Sequence, residues 1–194
     1  MIYEDILREL AYMRIYLGKN IGKVSRKEIY KLYRRYLKLY MLLPIKNPEF
    51  DKNSPLYFNG NCYCYALMLP TPKVFVRAYY SKSKHEFPHD VGFLSGKEYS
   101  DDIDICYDNL RSDLDFLGVD YYETNNDAYN SHGGYKISFL KSIDDFHFLR
   151  QNIDGTWSHK RGYNSYIERT SFDAKIFEDF KHVKTLEIVK PVVR

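Results

Sequence analysis

The order of hydrophobic periods along the 194 residues predicts an α+β fold. Three observations lead there. Two long segments with apolar residues at spacings of three and four open the chain, and a third lies near its middle. Short β-like runs then follow one another without helices between them, a pattern of antiparallel pairing rather than of βαβ units. With 44% hydrophobic and 28% charged residues, the composition supplies a core and excludes a disordered chain.

Each element has its own signal. Ile2, Ile6, Leu10, Met13 and Leu17 form one helical stripe, and Gly18 offers its stop. Ser25-Arg-Lys-Glu28 is a capping box announcing a second helix. Ile29, Leu32, Tyr33, Tyr36 and Tyr40 make its apolar face, Lys27, Lys31, Arg34, Arg35 and Lys38 its basic face, and Pro44 ends it. Residues 44–60, rich in Pro, Asn and Gly, form a loop. A short helix is expected over Asn61–Leu69, closed by Pro70 and Pro72, and a strand over Val74–Tyr80. Ser100, Asp101 and Asp102 cap a helix carrying Ile103, Cys106, Tyr107, Leu110, Leu114 and Leu117, ended by Gly118. Strands are expected at 119–123, 135–141 and 145–151, the last two joined by the tight connection Ser142–Asp144. A loop over 152–162, a helix near Asp173–His182 and a strand at 185–189 complete the reading.

Charge marks a division. Residues 1–43 carry ten Lys/Arg against four Asp/Glu, whereas residues 44–194 are slightly acidic. This suggests a basic helical hairpin (1–43) ahead of an α+β domain (44–194), with residues 23–38 facing either solvent or an acidic partner. A net charge of +3 argues against a dedicated nucleic-acid binder. No apolar run reaches the roughly 18–20 residues of a membrane span, and the N-terminus lacks the pattern of a signal peptide. The expectation is a cytoplasmic protein. The 20 tyrosines, with many Lys, Ile and Asn, fit an AT-rich genome such as that of a virus or phage, and then a virion-associated location.

Cys62, Cys64 and Cys106 are an odd set with no disulfide framework and no zinc-type spacing, which fits a reducing compartment. No metal or other cofactor is expected. Pro88 interrupts the His85/His89 pair, and Gly133-Gly134 marks a turn rather than a phosphate loop. What remains is thiol chemistry. A thiol nucleophile needs a base within reach and a third group holding that base in one tautomer. Cys62, preceded by Gly60 and Asn61, would open a helix, whose unpaired amides favour a thiolate. Cys64 would point roughly 200° away. On a strand, Asp145, His147 and Leu149 would share one face and Phe146, Phe148 and Arg150 the other. His147 would then be a base directed away from two Phe side chains, whereas His159 reads as a loop residue.

Asn61-Cys62-Tyr63-x-Tyr65-Ala66-Leu67, then Asp145-Phe-His147-Phe-x-Arg150-Gln151, then Asp154-Gly-Thr-Trp157-Ser158-His159-Lys160-x-Gly162 occur in this order. Together they resemble a bacterial and viral branch of the papain-like, NlpC-type cysteine peptidase and amidase superfamily, over roughly residues 55–165. The resemblance implies a papain-like α+β core in which the nucleophile opens a helix packed on an antiparallel sheet. It implies Cys62 as nucleophile, His147 as general base and His159 as the orienting group, with Asp145 as substitute. Asn61 and backbone amides would hold the oxyanion, and Tyr63, Tyr65 and Trp157 would line a groove for a peptide or peptidoglycan stem. The expected activity is hydrolysis of amide bonds. The alternatives are an acyltransferase or thioesterase on the same fold, and a non-enzymatic viral structural or binding protein acting through its basic hairpin.

Overall fold

The computed structural model describes residues 3–44, 48–84, 87, 89–172 and 177–190. Its helices are α1 (Tyr3–Lys19), α2 (Arg26–Met41), α3 (Cys62–Ala66), α4 (Lys73–Tyr80) and α5 (Ile103–Leu117). Its strands are β1 (Asp120–Thr124), β2 (Tyr135–Lys141), β3 (Phe146–Gln151), β4 (Trp157–Lys160), β5 (Ile167–Thr170) and β6 (Lys181–Val189). They form one antiparallel sheet in the order β1-β6-β2-β3-β4-β5. The fold is α+β, with a helical N-terminal part.

The helix signals act as their chemistry dictates. Ile6, Leu10, Met13 and Leu17 of α1 are buried. Ser25 accepts the Glu28 N–H at 3.2 Å to cap α2, and the Glu28 carboxylate accepts from Tyr16 of α1, so the cap also ties the two helices together. Asp102 caps α5 by accepting from Ile105 N–H at 3.0 Å. Gly118 ends that helix at φ +70°, a conformation glycine adopts without a Cβ clash.

Three expectations need correction. Val74–Tyr80 lies in helix α4, not a strand: Pro72 precedes its first turn, and Phe75, Ala78 and Tyr79 fall on one buried face. Residues 152–162 are not all loop. Asp154 accepts from the Thr156 N–H at 3.1 Å, and Gly155 adopts φ +81°, turning the chain back into β4, which pairs in turn with β5. No apolar alternation announces β4 because its buried side chains are Ser158, His159 and Lys160. The helix expected near 173–182 lies partly outside the described residues, and Lys181 and His182 already belong to β6.

The largest buried cluster runs from the N-terminal helices to the sheet. Leu10, Leu17, Ile29, Tyr33 and Leu37 of the hairpin belong to the same buried cluster as Phe75, Leu110, Leu114, Ile137, Phe139, Phe148 and Leu186. The stretch before residue 44 therefore has no core of its own. Pairing register assigns the faces of the sheet. Ile137 opposes Arg150, Phe139 opposes Phe148 and Arg150 opposes Ser158 on the face that meets the helices. Leu140 opposes His147, Leu149 opposes His159 and Gln151 opposes Trp157 on the other. There Leu140 and Leu149 cluster with Phe177, and Trp157, Phe172 and Phe180 pack around them.

Candidate thiol and histidine site

Helix α3 has five residues, too few to persist alone, so its neighbours must hold it. Asn61 caps it, accepting from the Cys64 N–H at 3.1 Å and donating Nδ2–H to the His89 carbonyl at 3.0 Å. A Cβ on Gly60 would sit 2.8 Å from Thr71 Oγ1 and 2.9 Å from the Cys64 Cβ, so the approach to Cys62 requires glycine. Lys160 of β4 donates from Nζ to the Gly60 carbonyl at 2.6 Å and also to Gly162. Farther along, the Arg150 guanidinium lies 3.9 Å over the Tyr65 ring and donates to the Tyr65 carbonyl, while Tyr65 shares a 2.6 Å hydrogen bond with Ser158.

This packing places the Cys62 sulfur against the backbone of β3. Its Sγ lies 3.9 Å from the Phe146 carbonyl and the residue is 5% exposed. The helix start was expected to lower the thiol's pKa. Burial instead pushes it up to about 12, although a backbone hydrogen bond from Phe148 works the other way. Desolvation of the thiolate outweighs the partial charge of so short a helix. Cys64, fully buried, is raised as well, and burial brings the Lys160 ammonium down to about 8.

On the other face, His147 Nε2 and His159 Nδ1 lie 2.8 Å apart. Burial draws His147 down to about 3 and His159 down to about 4, so both rings are neutral near pH 7. Neutral imidazoles share such a bond only when one ring donates and the other accepts. The Glu168 carboxylate, 3.8 Å from His159 Nε2, favours the proton on that nitrogen. His159 Nδ1 then accepts from His147 Nε2–H, leaving His147 Nδ1 bare as a base. Phe177 lies 5.3 Å from each ring and covers the pair.

The structure thus joins His147 to His159 but does not join Cys62 to His147 by a hydrogen bond. The sulfur belongs to the helix-bearing side, and its contact is with Phe146, the residue preceding His147. The His147 ring leaves β3 on the opposite face. Asp145, the substitute for the orienting role, is exposed and accepts the Phe146 N–H at 2.7 Å in the β2–β3 turn.

The residues expected to touch substrate also have other work. Tyr63 is fully buried, donates to Asp113 at 2.7 Å and packs on Phe148, which removes it from any groove. The Asn61 amide is occupied at both ends by the Cys64 N–H and the His89 carbonyl. Trp157 packs edge-on against Phe172, across the sheet from Cys62. Glu168 escaped sequence reasoning, and Lys160 entered it only as part of a motif, with no role assigned. Glu168 becomes visible only once β4 and β5 are seen as a hairpin, in which it opposes His159 directly.

Among the described residues, no group of three His, Cys, Asp or Glu side chains is placed to hold a metal ion. No helix among them is long and apolar enough to cross a membrane. The chain matches no family model, no curated protein and no solved structure.

Proposed function

We propose that this chain is a cysteine-dependent hydrolase of amide bonds in a peptide or a peptidoglycan stem, with Cys62 as nucleophile, His147 as general base and His159 as its orienting partner. The observation that carries this reading is the 2.8 Å bond between His147 and His159, on the strand whose backbone contacts the Cys62 sulfur. A base held in one tautomer by a second group is what a thiol mechanism needs. The bare His147 Nδ1 is the nitrogen left for the thiol.

The chemistry proceeds from a neutral pair rather than from a thiolate. The Cys62 sulfur and the His147 imidazole lie on opposite faces of β3, so the reactive state requires a rearrangement of the β3 backbone that brings Sγ to His147 Nδ1. His147 then takes the thiol proton as Sγ adds to the carbonyl carbon. The resulting imidazolium returns that proton to the departing amine, leaving a thioester on Cys62. Water adds to the thioester with His147 again as base, and the carboxylic acid and free thiol are released. An amine entering in place of water would make the same centre an acyltransferase.

The test is amine release from peptidoglycan stem peptides and from a denatured protein, read by amine-reactive fluorescence. The wild type is expected to release amines, Cys62→Ala and His147→Ala to lose at least about 100-fold, and Cys64→Ala to retain activity. No release by the wild type, or equal release by Cys62→Ala, would overturn the proposal.

A second reading rests on a different surface. Lys31, Arg34, Arg35 and Lys38 of α2, with Leu39, Leu42 and Phe116, line a cleft of about 500 Å³. The Arg34 guanidinium lies 4.5 Å over the Phe116 ring. An apolar floor under basic side chains suits an acidic partner segment. Loss of binding to such a partner on reversing Lys31 and Lys38 would favour a binding protein.

A further inference from the structure

Arg150 is 2% exposed, yet among the described residues no carboxylate pairs with it. Its terminal nitrogens donate to the Tyr65 carbonyl, the Tyr65 hydroxyl and the Glu49 carbonyl. Its Nε–H finds no partner among the described residues. A buried guanidinium with neutral acceptors and an idle donor is costly unless an anion completes it.

Two more idle groups lie on the same face at the same end of the sheet. Tyr135 opposes Ile188 across β2 and β6, and Lys190 follows two residues beyond Ile188, so both side chains share the face of Arg150. Among the described residues, the buried Tyr135 hydroxyl and Lys190 ammonium each find no hydrogen-bond partner. Burial and the charge of Arg150 together bring the Lys190 ammonium down to about 7. Three unspent donors, from β2, β3 and the residue that follows β6, are unusual in a protein interior, where nearly all polar groups are paired. Arg150 also lines a cleft of about 220 Å³ with Tyr40, Tyr57 and Met68, so the cleft reaches its guanidinium. Glu49 and Asp51 lie along the same cleft.

We propose that Arg150, Lys190 and Tyr135 form a subsite for a small oxyanion, a carboxylate or a phosphate, entering through this cleft. Arg150 Nε–H, the Lys190 ammonium and the Tyr135 hydroxyl all donate, and a carboxylate or phosphate oxygen accepts without needing a proton. The site does not depend on Cys62 chemistry, because none of its groups touches the sulfur or the histidine pair.

The experiment is calorimetric titration of the full chain with inorganic phosphate and, separately, with acetate at constant ionic strength. Lys190→Met and Tyr135→Phe run alongside, each checked for cooperative thermal unfolding. Saturable binding of one anion to the wild type is expected, about tenfold weaker or worse in each variant. Tighter phosphate binding identifies a phosphate site, and tighter acetate binding a carboxylate site. Absence of binding by either anion, or equal binding by folded Lys190→Met and the wild type, would overturn the proposal. Cys62→Ala is expected to bind the anion as the wild type does, which separates this inference from the hydrolase reading.

Discussion

His89 shows what burial does to a single side chain. It is fully buried among Phe87, Phe93 and Tyr163, with Nε2 3.3 Å from the Tyr33 hydroxyl. Desolvation, reinforced by the charge of Lys160, brings its pKa from 6.5 to about 3. Its folded value lies below its unfolded one, so between about pH 6.5 and pH 3 the unfolded chain binds the proton first. Stability is therefore full above that window and is lost on acidification, with a limiting slope of about 1.4 kcal/mol per pH unit for one proton. His147 and His159 act in the same direction. Urea unfolding at pH 7 and pH 4.5 is expected to show a smaller acid loss for His89→Phe than for the wild type. Identical losses would show that His89 titrates freely in the folded chain. At this scale the sequence was a partial guide. It marked Cys62, His147 and His159 by type and order, but burial decides a pKa, and burial comes from residues far along the chain.

Helix α3 illustrates the next scale. Its five residues are held by groups from outside: Asn61 at its start, Lys160 from β4 and Arg150 from β3. Asn61→Ala removes the cap and leaves the His89 carbonyl without its amide donor. The expected loss is about 1–3 kcal/mol in chemical denaturation. A loss near zero would mean that the strands alone position Cys62. Elements with a local signal were legible: the α1 stripe, the Ser25 cap of α2, the Asp102 cap and Gly118 stop of α5, and the β2–β3 hairpin. Elements defined by their partners were not. A strand was expected over Val74–Tyr80, where Phe75, Ala78 and Tyr79 in fact close a helical face. In β4, Ser158 and Lys160 are buried because Tyr65 and Gly60 accept or share their hydrogen bonds, a circumstance no local pattern announces.

At the level of the whole molecule, the sheet decides which candidate residues meet. Strand alternation sends His147 and His159 to one face and keeps Phe146, Phe148 and Arg150 with the helices, as the pattern of β3 foretold. The same alternation sets the Cys62 sulfur apart from the imidazole, because α3 packs on the helix-bearing face. The hairpin α1–α2 shares the core beneath α3, with Tyr33 reaching both His89 and Pro70, so it supports the site rather than standing apart from it. Proposed catalysis at Cys62 therefore requires a rearrangement that brings the sulfur and the imidazole, held on opposite faces of β3, to one side. The most direct measurement mixes the protein with the p-nitrophenyl ester of N-acetyl-alanine, quenches it in acid and maps the acyl group by peptide mass spectrometry. A rapid release of nitrophenolate and one acyl group confined to Cys62 are expected, both lost in His147→Ala. An acyl group on Cys106, none on any cysteine, or one on Cys62 that forms equally fast in His147→Ala would contradict it.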